Sequence, residues 1–351
     1  MLLSEITGRA KAIYKYKGSN ELVIPNQHLG IEIELEGCKP LYAYPAVFNH
    51  YWSLKEDGSL RSENGKLGIE YVFKDALFGQ DVIAALKIME SVMVDMKPTP
   101  SWRCGLHVHV DTTDLNTETL FNFVFLYLLY ETALYNYVGA DRKDSPFCVP
   151  LTTYTDSTDN LISLLKTIHT AGFSSEEKKL KIYKQFERWS KYNGMNLLPL
   201  IKFGTIEFRQ APSMFEEEKI KKWINIILSL KQTAQNIDTN FTTEFHKYIS
   251  RTGVHQLSRN TFGELLEDIM YKGFYDDVST NIKFVQHIIV SMQRDAIALK
   301  MKKIAPKLGL TEQMSVMINK TPIKETRKLS IPGMRLAPRD LDWLNPNNEP
   351  E

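Results

Sequence analysis

Apolar and polar residues alternate in three short segments of the chain, and each segment places ionisable side chains two positions apart. The segments are Glu32-Ile33-Glu34, His107-Val108-His109 and Glu207-Phe208-Arg209. On an extended strand, residues i and i+2 point to the same face and lie about 6.6 Å apart. Three such strands side by side would therefore form a sheet face that carries carboxylates, imidazoles and one guanidinium.

Other alternating and amphipathic runs predict the remaining elements. Strands are predicted over residues 30–36, 51–54, 68–73, 106–110, 195–199 and 205–210. Helices are predicted over residues 81–96, 117–138, 159–169, 175–189 and 216–232, followed by mainly helical chain up to residue 303. Asp81, Thr117 and Ser175 are typical of helix N termini, and Asp57-Gly58-Ser59 is typical of a turn.

The order of these elements favours an α+β fold. Strands and helices intermix without regular βαβ spacing, and no Gly-rich phosphate loop is present in the sequence. This pattern predicts a mainly antiparallel sheet flanked by helices, with a largely helical C-terminal extension. The predicted parts are an N-terminal arm over 1–28, a core over 29–235, a helical part packed on the core over 236–303 and a basic tail over 304–351.

The bulk composition is ordinary for a globular protein, but the charge is distributed unevenly. Of 351 residues, 43% are hydrophobic and 24% are charged, and the net charge of +1 gives no general attraction to nucleic acid or membranes. Between Lys300 and Arg339, ten Lys and Arg residues stand against two acidic residues. This tail is either a solvated extension or an arm that contacts an acidic macromolecule.

The cysteines and the N terminus indicate an intracellular protein. Cys38, Cys104 and Cys148 are too few and too scattered for a disulfide framework, so buried thiols in a reducing cytoplasm are expected. The N terminus has no signal-sequence pattern. The most apolar stretch, 120–138, is interrupted by polar residues such as Glu131. It predicts a buried helix rather than a membrane span, and no membrane contact is expected.

The predicted sheet face has the side chains that divalent cations and phosphate require. A carboxylate pair such as Glu32 and Glu34 is unfavourable unless cations neutralise it, because like charges raise each other's pKa. Mg²⁺ and Mn²⁺ prefer oxygen ligands and bind substrate phosphates, and Glu70 and Glu207 could complete such a group. Arg209 offers a planar set of donors to phosphate oxygens.

Each motif taken singly also has a purely structural explanation. Alternating glutamates occur on the solvated face of an edge strand, and a His-x-His pair is often half-buried on a surface. A Glu-x-Arg pair is most often a surface ion pair, which contributes about 1 kcal/mol at best. The three motifs together favour a functional site, because all three are embedded in apolar strands that are expected to be central.

Seven motifs follow one another between residues 28 and 235. They are GIEIE (30–34), DGSL (57–60), GIEYV (68–72), CGLHVHV (104–110), DRKDSPFC (141–148), KYNGMNL (191–197) and GTIEFR (204–209). Their order resembles the amidoligase family, a branch of the glutamine synthetase-like carboxylate–amine ligases that also includes glutamate–cysteine ligase. The resemblance implies a glutamine synthetase-like active-site face on the antiparallel sheet.

The resemblance also implies an ATP-dependent ligase. Such enzymes are expected to use ATP with Mg²⁺, or alternatively Mn²⁺, to phosphorylate a carboxylate, after which an amine attacks the acyl phosphate. The product would be an amide or isopeptide bond, and the acid and the amine would belong to a peptide, a protein or a small metabolite. Family members are often encoded by phages, so the expected location is the cytoplasm, which is that of the host if a phage encodes the chain.

The resemblance further implies roles for individual residues. Metal ligands are expected at Glu32, Glu34, Glu70, His107 and Glu207. Groups that act on the phosphates during catalysis are expected at His107, His109, Arg142 and Arg209, and either histidine could be the metal ligand. Contacts with the nucleotide or the substrate are expected at Asp57, Ser59, Arg142, Tyr192, Asn196 and Arg209.

One position departs from the family pattern, and two other functions stay open. The family is expected to carry Arg-Tyr where this chain has Lys191-Tyr192, and lysine keeps the charge but lacks the bidentate fork. A metal-dependent hydrolase or phosphoesterase could use the same Glu/His cluster without a nucleotide. A non-catalytic binding protein that retains the fold is the other alternative. Arg142 and Arg209 favour the ligase, because a simple hydrolase does not need two arginines on a transferred phosphoryl group.

Overall fold

The computed structural model describes residues 1–9, 27–41, 43–153, 155–169, 174–237 and 241–304. The chain divides into two units, Met1–Ala296 and Ile297–Glu351. Of the second unit, the description covers residues 297–304, which are the end of a helix. Residues 10–26 of the predicted N-terminal arm and residues 305–351 of the predicted basic tail lie outside the described residues. The predicted domain bounds stay predictions.

Seven strands form one sheet in the larger unit. They are β1 (His28–Cys38), β2 (Trp52–Lys55), β3 (Leu67–Phe73), β4 (Leu77–Phe78), β5 (Gly105–Asp111), β6 (Met195–Asn196) and β7 (Thr205–Pro212). Their order across the sheet is β2-β3-β1-β5-β7-β6, and β4 pairs with the start of β1. Every one of these pairings is antiparallel, which confirms the predicted α+β fold class.

Helices flank the sheet and dominate the C-terminal part. They are α1 (Leu3–Thr7), α2 (Ala46–Tyr51), α3 (Gln80–Met96), α4 (Thr117–Val138), α5 (Thr155–His169), α6 (Ser175–Glu187), α7 (Pro199–Phe203), α8 (Glu217–Asn236), α9 (Phe241–Thr252), α10 (Val254–Phe262), α11 (Leu266–Ile269) and α12 (Phe274–Ile304). Short 3-10 helices cover Ala140–Asp144 and Gly263–Leu265. The predicted helical extension beyond the sheet is therefore confirmed for the described residues.

The strand register brings the polar motifs to one face of the sheet. The directly opposed pairs are Glu32–His107, Glu34–Glu70 and His109–Glu207. Directly opposed residues share a face, so carboxylates from β1, β3 and β7 meet the imidazoles of β5. Gly30 lies opposite His109, and a Cβ at this glycine would lie 3.2 Å from the Cβ of His109. The glycine therefore leaves room for the imidazole.

The opposite face of the sheet belongs to the hydrophobic core. Ile33 of β1, Val108 of β5 and Phe208 of β7 are fully buried. The Phe208 ring lies 5.7 Å from the Phe123 ring and 5.9 Å from the Tyr127 ring, both of which belong to α4. Alternation along each strand thus separates an apolar face packed against α4 from a polar face, as the sequence pattern predicts.

The caps of two helices lie one residue before the predicted ones. Asn116 rather than Thr117 caps α4, because its side-chain oxygen accepts a hydrogen bond from the backbone N–H of Thr119 at 2.9 Å. Ser174 rather than Ser175 caps α6. In both cases two neighbouring residues are of a capping type, and the pattern does not tell which of them has the extended backbone that a cap needs.

Two other predicted boundaries also differ from the structure. Gly79 precedes α3 with a φ of 57°, so Asp81 lies in the first turn and does not cap the helix. The predicted strand over 195–199 ends after Asn196, because Pro199 begins α7, where its fixed φ suits the first helical position. The pattern also missed α2 and the two-residue strand β4.

The described residues contain no helix that is both long and apolar enough to cross a bilayer. The apolar helix α4 is buried along most of its length, as predicted. Cys38, Cys104 and Cys148 are buried free thiols, which also agrees with the prediction.

A buried lysine joins α8 to the end of β5. Lys231 is 1% exposed. Its Nζ donates hydrogen bonds to three oxygens, which are Gln27 Oε1 at 2.8 Å, the Asp111 carbonyl at 2.7 Å and Asp114 Oδ1 at 2.9 Å. Lys231→Met would leave the Asp114 carboxylate buried without its cation. We therefore expect the substitution to lower the free energy of unfolding by about 3–5 kcal/mol.

Chemical denaturation measures this change. Lys222→Met is the control, because Lys222 is half-exposed and pairs with Asp268 at 2.9 Å near the surface. Pairs of that kind contribute about 0–1 kcal/mol. Equal effects of the two substitutions would contradict the role assigned to Lys231.

Candidate active site

Carboxylates surround two histidines on the polar face of the sheet. His107 Nδ1 lies 3.2 Å from Glu32 Oε2 and 3.5 Å from Glu207 Oε1. The other nitrogen of this ring, Nε2, lies 3.8 Å from Glu34 Oε2. His109 Nε2 lies 3.4 Å from Glu32 Oε1. Both imidazoles of β5 therefore lie between carboxylates that the neighbouring strands β1 and β7 contribute.

The carboxylates form two groups whose geometry suits metal ions. In each group, three ligand atoms lie within 4.8 Å of one another, and the groups are Glu32–His109–Glu207 and Glu34–Asp57–Glu70. Carboxylate oxygens with at most one imidazole are a ligand set that suits Mg²⁺ or Mn²⁺. His109 belongs to one of these groups, whereas His107 lies among three carboxylates. Which of the two histidines is a ligand stays a prediction.

Among the described residues, one nitrogen of the buried His109 ring has a charged neighbour but no hydrogen bond. Its Nδ1 lies 3.1 Å from Thr205 Oγ1, whereas the buried Nε2 makes no hydrogen bond, although Glu32 Oε1 lies 3.4 Å away. Buried polar atoms nearly always have a partner. A ligating histidine typically uses one ring nitrogen for a protein contact and the other for the metal. The group of Glu32, His109 and Glu207 therefore fits a divalent cation.

The two histidines and Arg209 stabilise the ionised form of the carboxylates in the first group. Burial alone would raise the pKa of Glu32, but its contacts with His107 and His109 hold that pKa well below the usual range. Burial would also raise the pKa of Glu207, yet the guanidinium of Arg209 and the two imidazoles lower it. These two carboxylates are therefore ready to bind a cation at neutral pH.

The second group has less compensation from the protein. Burial raises the pKa of Glu34, although the backbone N–H of Gly105 donates to its Oε2 at 2.8 Å. Burial and the charge of Glu32 raise the pKa of Glu70 to about 7. A raised pKa means that the protein makes ionisation of these carboxylates unfavourable. A bound cation would offset that cost, so this group favours a bound cation.

Asn196 contacts a carboxylate of the site rather than the cavity. Its side chain is buried, with 2% exposure. Its Nδ2 donates to Glu207 Oε2 at 2.7 Å, and its Oδ1 accepts from the backbone N–H of Leu198 at 3.0 Å. Both ends of the amide are thus used within the protein, and they fix the orientation of Glu207. The predicted contact of Asn196 with the nucleotide or substrate stays a prediction.

The guanidinium of Arg142 faces the backbone instead of the cavity. Arg142 is 5% exposed and lies in the 3-10 helix that follows α4. Its nitrogen atoms lie 3.0–3.5 Å from five carbonyl oxygens, those of Trp102, Cys104, Arg209, Gln210 and Ala211. These contacts use its donors, so the predicted phosphate contact would require the side chain to move. That contact stays a prediction.

A bulge in the sheet explains why the carbonyls of Arg209, Gln210 and Ala211 in β7 need a partner. The pairing of β5 with β7 shifts between Leu106 and Val108. A bulge interrupts the ladder and leaves backbone groups unpaired, and an arginine has five N–H donors that can satisfy several of them at once. Arg142 therefore stabilises the backbone conformation of the segments that carry His107 and Arg209.

A cavity of about 430 Å³ adjoins the carboxylates. Eight predicted site residues line it, and they are Glu32, Glu34, Asp57, Ser59, Glu70, His107, Tyr192 and Arg209. The four other predicted site residues, His109, Arg142, Asn196 and Glu207, are not part of its lining. Of these four, His109 and Glu207 belong to a group that suits a metal ion, and the other two contact the protein itself.

Loop residues complete the site in ways that the pattern did not predict. Asp57 Oδ1 accepts hydrogen bonds from the backbone N–H of Ser59 at 2.6 Å and from its hydroxyl at 2.5 Å. This turn holds Asp57 beside Glu34 and Glu70, so Asp57 joins a carboxylate group in addition to lining the cavity. Arg103 and Phe147 also line the cavity. The sequence did offer a sign that these two residues could belong to the site. Arg103 directly precedes the motif at residues 104–110, and Phe147 lies within the motif at residues 141–148.

The raised pKa of Glu70 predicts that metal binding depends on pH. Metal ions bind the carboxylate form, so the proton of Glu70 must leave when a cation binds. Because that pKa is about 7, the apparent affinity for Mn²⁺ should fall as the pH is lowered from 8 to 6. The fall should approach about tenfold per pH unit below pH 7. Electron paramagnetic resonance of free Mn²⁺ measures this affinity.

Two variants test the source of the pH dependence. Glu70→Gln should weaken Mn²⁺ binding and flatten its pH profile. Glu63→Gln, at an exposed carboxylate that lies 3.8 Å from Arg61, should keep the profile of the unmodified protein. A flat profile in the unmodified protein would show that Glu70 does not control binding.

The contacts of Arg142 predict that it stabilises the fold. Arg142→Met removes the partner of five carbonyl groups, and three of these contacts are buried and two partly buried. Hydrogen bonds to a charged group contribute about 1.5–3 kcal/mol each, so we expect the free energy of unfolding to fall by about 3 kcal/mol or more. Arg103→Met is the control and should change it by about 0.5 kcal/mol. If denaturation gives equal values for both variants, the backbone role of Arg142 is wrong.

A comparison with protein-family models identifies the family. The model described as "Putative amidoligase enzyme" matches residues 50–231, which are more than half of the 351-residue chain. The match includes Glu70 and Glu207, and it begins after Glu32 and Glu34, which the sheet register brings to the same site. A search of curated proteins found no match. The chain therefore belongs to the amidoligase family.

Proposed function

We propose that this protein is an ATP-dependent carboxylate–amine ligase that forms an amide or isopeptide bond through an acyl phosphate. Membership of the amidoligase family supports amide-bond formation in general. The observation that carries the ATP-dependent reaction is a cavity lined by Arg209, by all three members of one carboxylate group and by Glu32 of the other. Cations and an arginine are what a transferred phosphoryl group requires. The acid and the amine would belong to a peptide, a protein or a small metabolite.

Two Mg²⁺ ions, or Mn²⁺ in their place, fit the carboxylate groups. One ion would be held by Glu32, His109 and Glu207, and the other by Glu34, Asp57 and Glu70. When bound, the ions would neutralise the phosphate oxygens of the nucleotide. The unsatisfied nitrogen of His109 and the raised pKa of Glu70 support this assignment.

In the first step, the chain would orient the reactants and stabilise charge. A carboxylate oxygen of the acid substrate attacks the terminal phosphorus of ATP, and ADP leaves. Arg209 lines the cavity and would stabilise the negative charge on the transferred phosphoryl group. A hydrogen bond to Glu207 and another to the Phe147 carbonyl at 3.3 Å hold the guanidinium in place.

The second step would join the amine to the activated acid. The amine nitrogen attacks the carbonyl carbon of the acyl phosphate, inorganic phosphate leaves, and the amine loses a proton to the departing phosphate. Water must be kept away from the acyl phosphate, because hydrolysis would compete with bond formation. The rings of Phe147 and Tyr192 on the cavity wall would limit its access.

The proposed reaction requires both a nucleotide and an acid. With ATP, Mg²⁺ and a panel of carboxylic acids, ADP release should depend on the acid, and hydroxylamine should trap the acyl phosphate as a hydroxamate. Glu34→Gln and Arg209→Gln should each lower the rate by about a hundredfold or more, because each removes a charge that acts on the phosphoryl group. A coupled assay of ADP and a colorimetric assay of hydroxamate measure these rates.

A control variant and the two alternative functions predict results that differ from those of the proposed ligase variants. Glu63→Gln, at an exposed position of the surface, should keep the full rate. A metal-dependent phosphoesterase would instead hydrolyse a model phosphoester without ATP. A binding protein that only retains the fold would release no ADP with any acid. Either of these two outcomes would contradict the proposed ligase.

A further inference from the structure

Two cations at the rim of the cavity have no anionic partner among the residues that the structure describes. The guanidinium carbon of Arg103 lies 4.6 Å from the ring centroid of Trp102, and the Nζ of Lys191 lies 5.0 Å from that of Tyr192. Both cations line the cavity. Their side chains make no ion pair with any described residue, although the cavity also has four carboxylates in its lining. Acidic and basic charges are therefore separated within this cavity.

The aromatic contacts leave the donors of both cations available. The quadrupole of an aromatic ring attracts a cation to the ring face. This contact leaves the N–H donors that point away from the ring free to bind an anion. A carboxylate partner would instead occupy those donors and compete with an anionic ligand. Arg209 differs, because its Nε and Nη1 already donate to the Phe147 carbonyl and to Glu207, so that among the described residues Nη2 is the nitrogen left for a phosphoryl oxygen.

An aromatic wall links the two cations and joins them to Arg209. The rings of Trp102 and Phe147 are stacked at 5.7 Å, and the rings of Phe147 and Tyr192 lie 6.4 Å apart. The carbonyl of Phe147 accepts a hydrogen bond from Arg209 Nε. Trp102 is 58% exposed, so core packing does not explain its position. Its stacking on Phe147 instead helps to hold Arg103 at the rim.

We propose that Arg103 and Lys191 form an anion-binding site at the rim of the cavity. The anion would be an oxyanion group of a bound substrate, and this group would not be a ligand of the metal ions. The inference rests on the proposed function. Without metal ions, the cavity lining has four carboxylates and three permanent cations, so its net charge is negative. Once the divalent ions are bound, the net charge becomes positive and the cavity attracts anions. The oxyanion is either a second carboxylate of the acid substrate or the α-phosphate of the nucleotide.

Two pairs of probes distinguish these sources. Glutarate and valerate have the same chain length and differ by one carboxylate, and each is titrated in the presence of MgADP. MgATP is titrated separately. Binding is followed by the fluorescence of the exposed Trp102, and loss of the signal in Trp102→Phe confirms its origin. The variants are Arg103→Gln and Lys191→Gln, each of which removes one charge.

Each source predicts a different pattern. If the site holds a second carboxylate, both variants should weaken glutarate binding by about tenfold or more and leave valerate and MgATP unchanged. If the site holds the α-phosphate, both variants should weaken MgATP binding by a similar factor and leave glutarate binding unchanged. Lys202→Gln is the matched control, because Lys202 lies 4.9 Å from the Phe203 ring centroid but does not line this cavity.

The remaining outcomes overturn the inference in distinguishable ways. Suppose that the unmodified protein binds Mn²⁺ and MgATP, and that neither variant weakens the binding of any probe. The proposed rim site is then wrong, and the proposed function stands. If Lys202→Gln weakens the same probe as strongly, the effect is one of general charge, and the rim site is again wrong. If the unmodified protein binds neither Mn²⁺ nor MgATP, the proposed function fails together with the inference.

Discussion

Negative charge concentrated on one largely buried sheet face is the constraint on which the site depends. The antiparallel register puts carboxylates of neighbouring strands side by side, and they are Glu32, Glu34, Glu70 and Glu207. Like charges in such surroundings raise each other's pKa and oppose ionisation. His107, His109 and Arg209 outweigh the effect of burial at Glu32 and Glu207, whose pKa values are lowered, whereas burial dominates at Glu34 and Glu70, whose pKa values are raised. The divalent cations that we propose would balance the rest.

Residues whose side chains contact other parts of the protein hold this face in place. Arg142 satisfies the carbonyl groups around a bulge, and Asn196 orients Glu207. Lys231 joins α8 to the end of β5 from within the interior. On the apolar side, Phe208 packs against α4. The positions of the charged groups are thus set by buried contacts, which fits a reaction in which positioning and charge matter more than covalent chemistry.

The alternation of apolar and polar residues predicted the strands and the composition of their polar face. Side-chain direction along a strand is a local property, so Glu32 and Glu34 could be assigned to one face before any fold was known. The contacts of Arg142 are different in kind, because its hydrogen bond to the Gln210 carbonyl joins residues 68 positions apart and depends on a bulge that no local pattern signals. Asp57 and Arg103 lie outside the strands, in segments without periodicity. The family resemblance placed Asp57 at the site, but only the fold shows that it lies beside Glu34 and Glu70 and that Arg103 lines the cavity.

Anomalous diffraction from crystals soaked with Mn²⁺ and a non-hydrolysable ATP analogue tests the central claim most directly. The account predicts two manganese peaks, one between Glu32, His109 and Glu207 and one between Glu34, Asp57 and Glu70, with the terminal phosphate of the analogue beside Arg209. Manganese bound elsewhere, or a nucleotide whose phosphates lie away from both carboxylate groups, would contradict it.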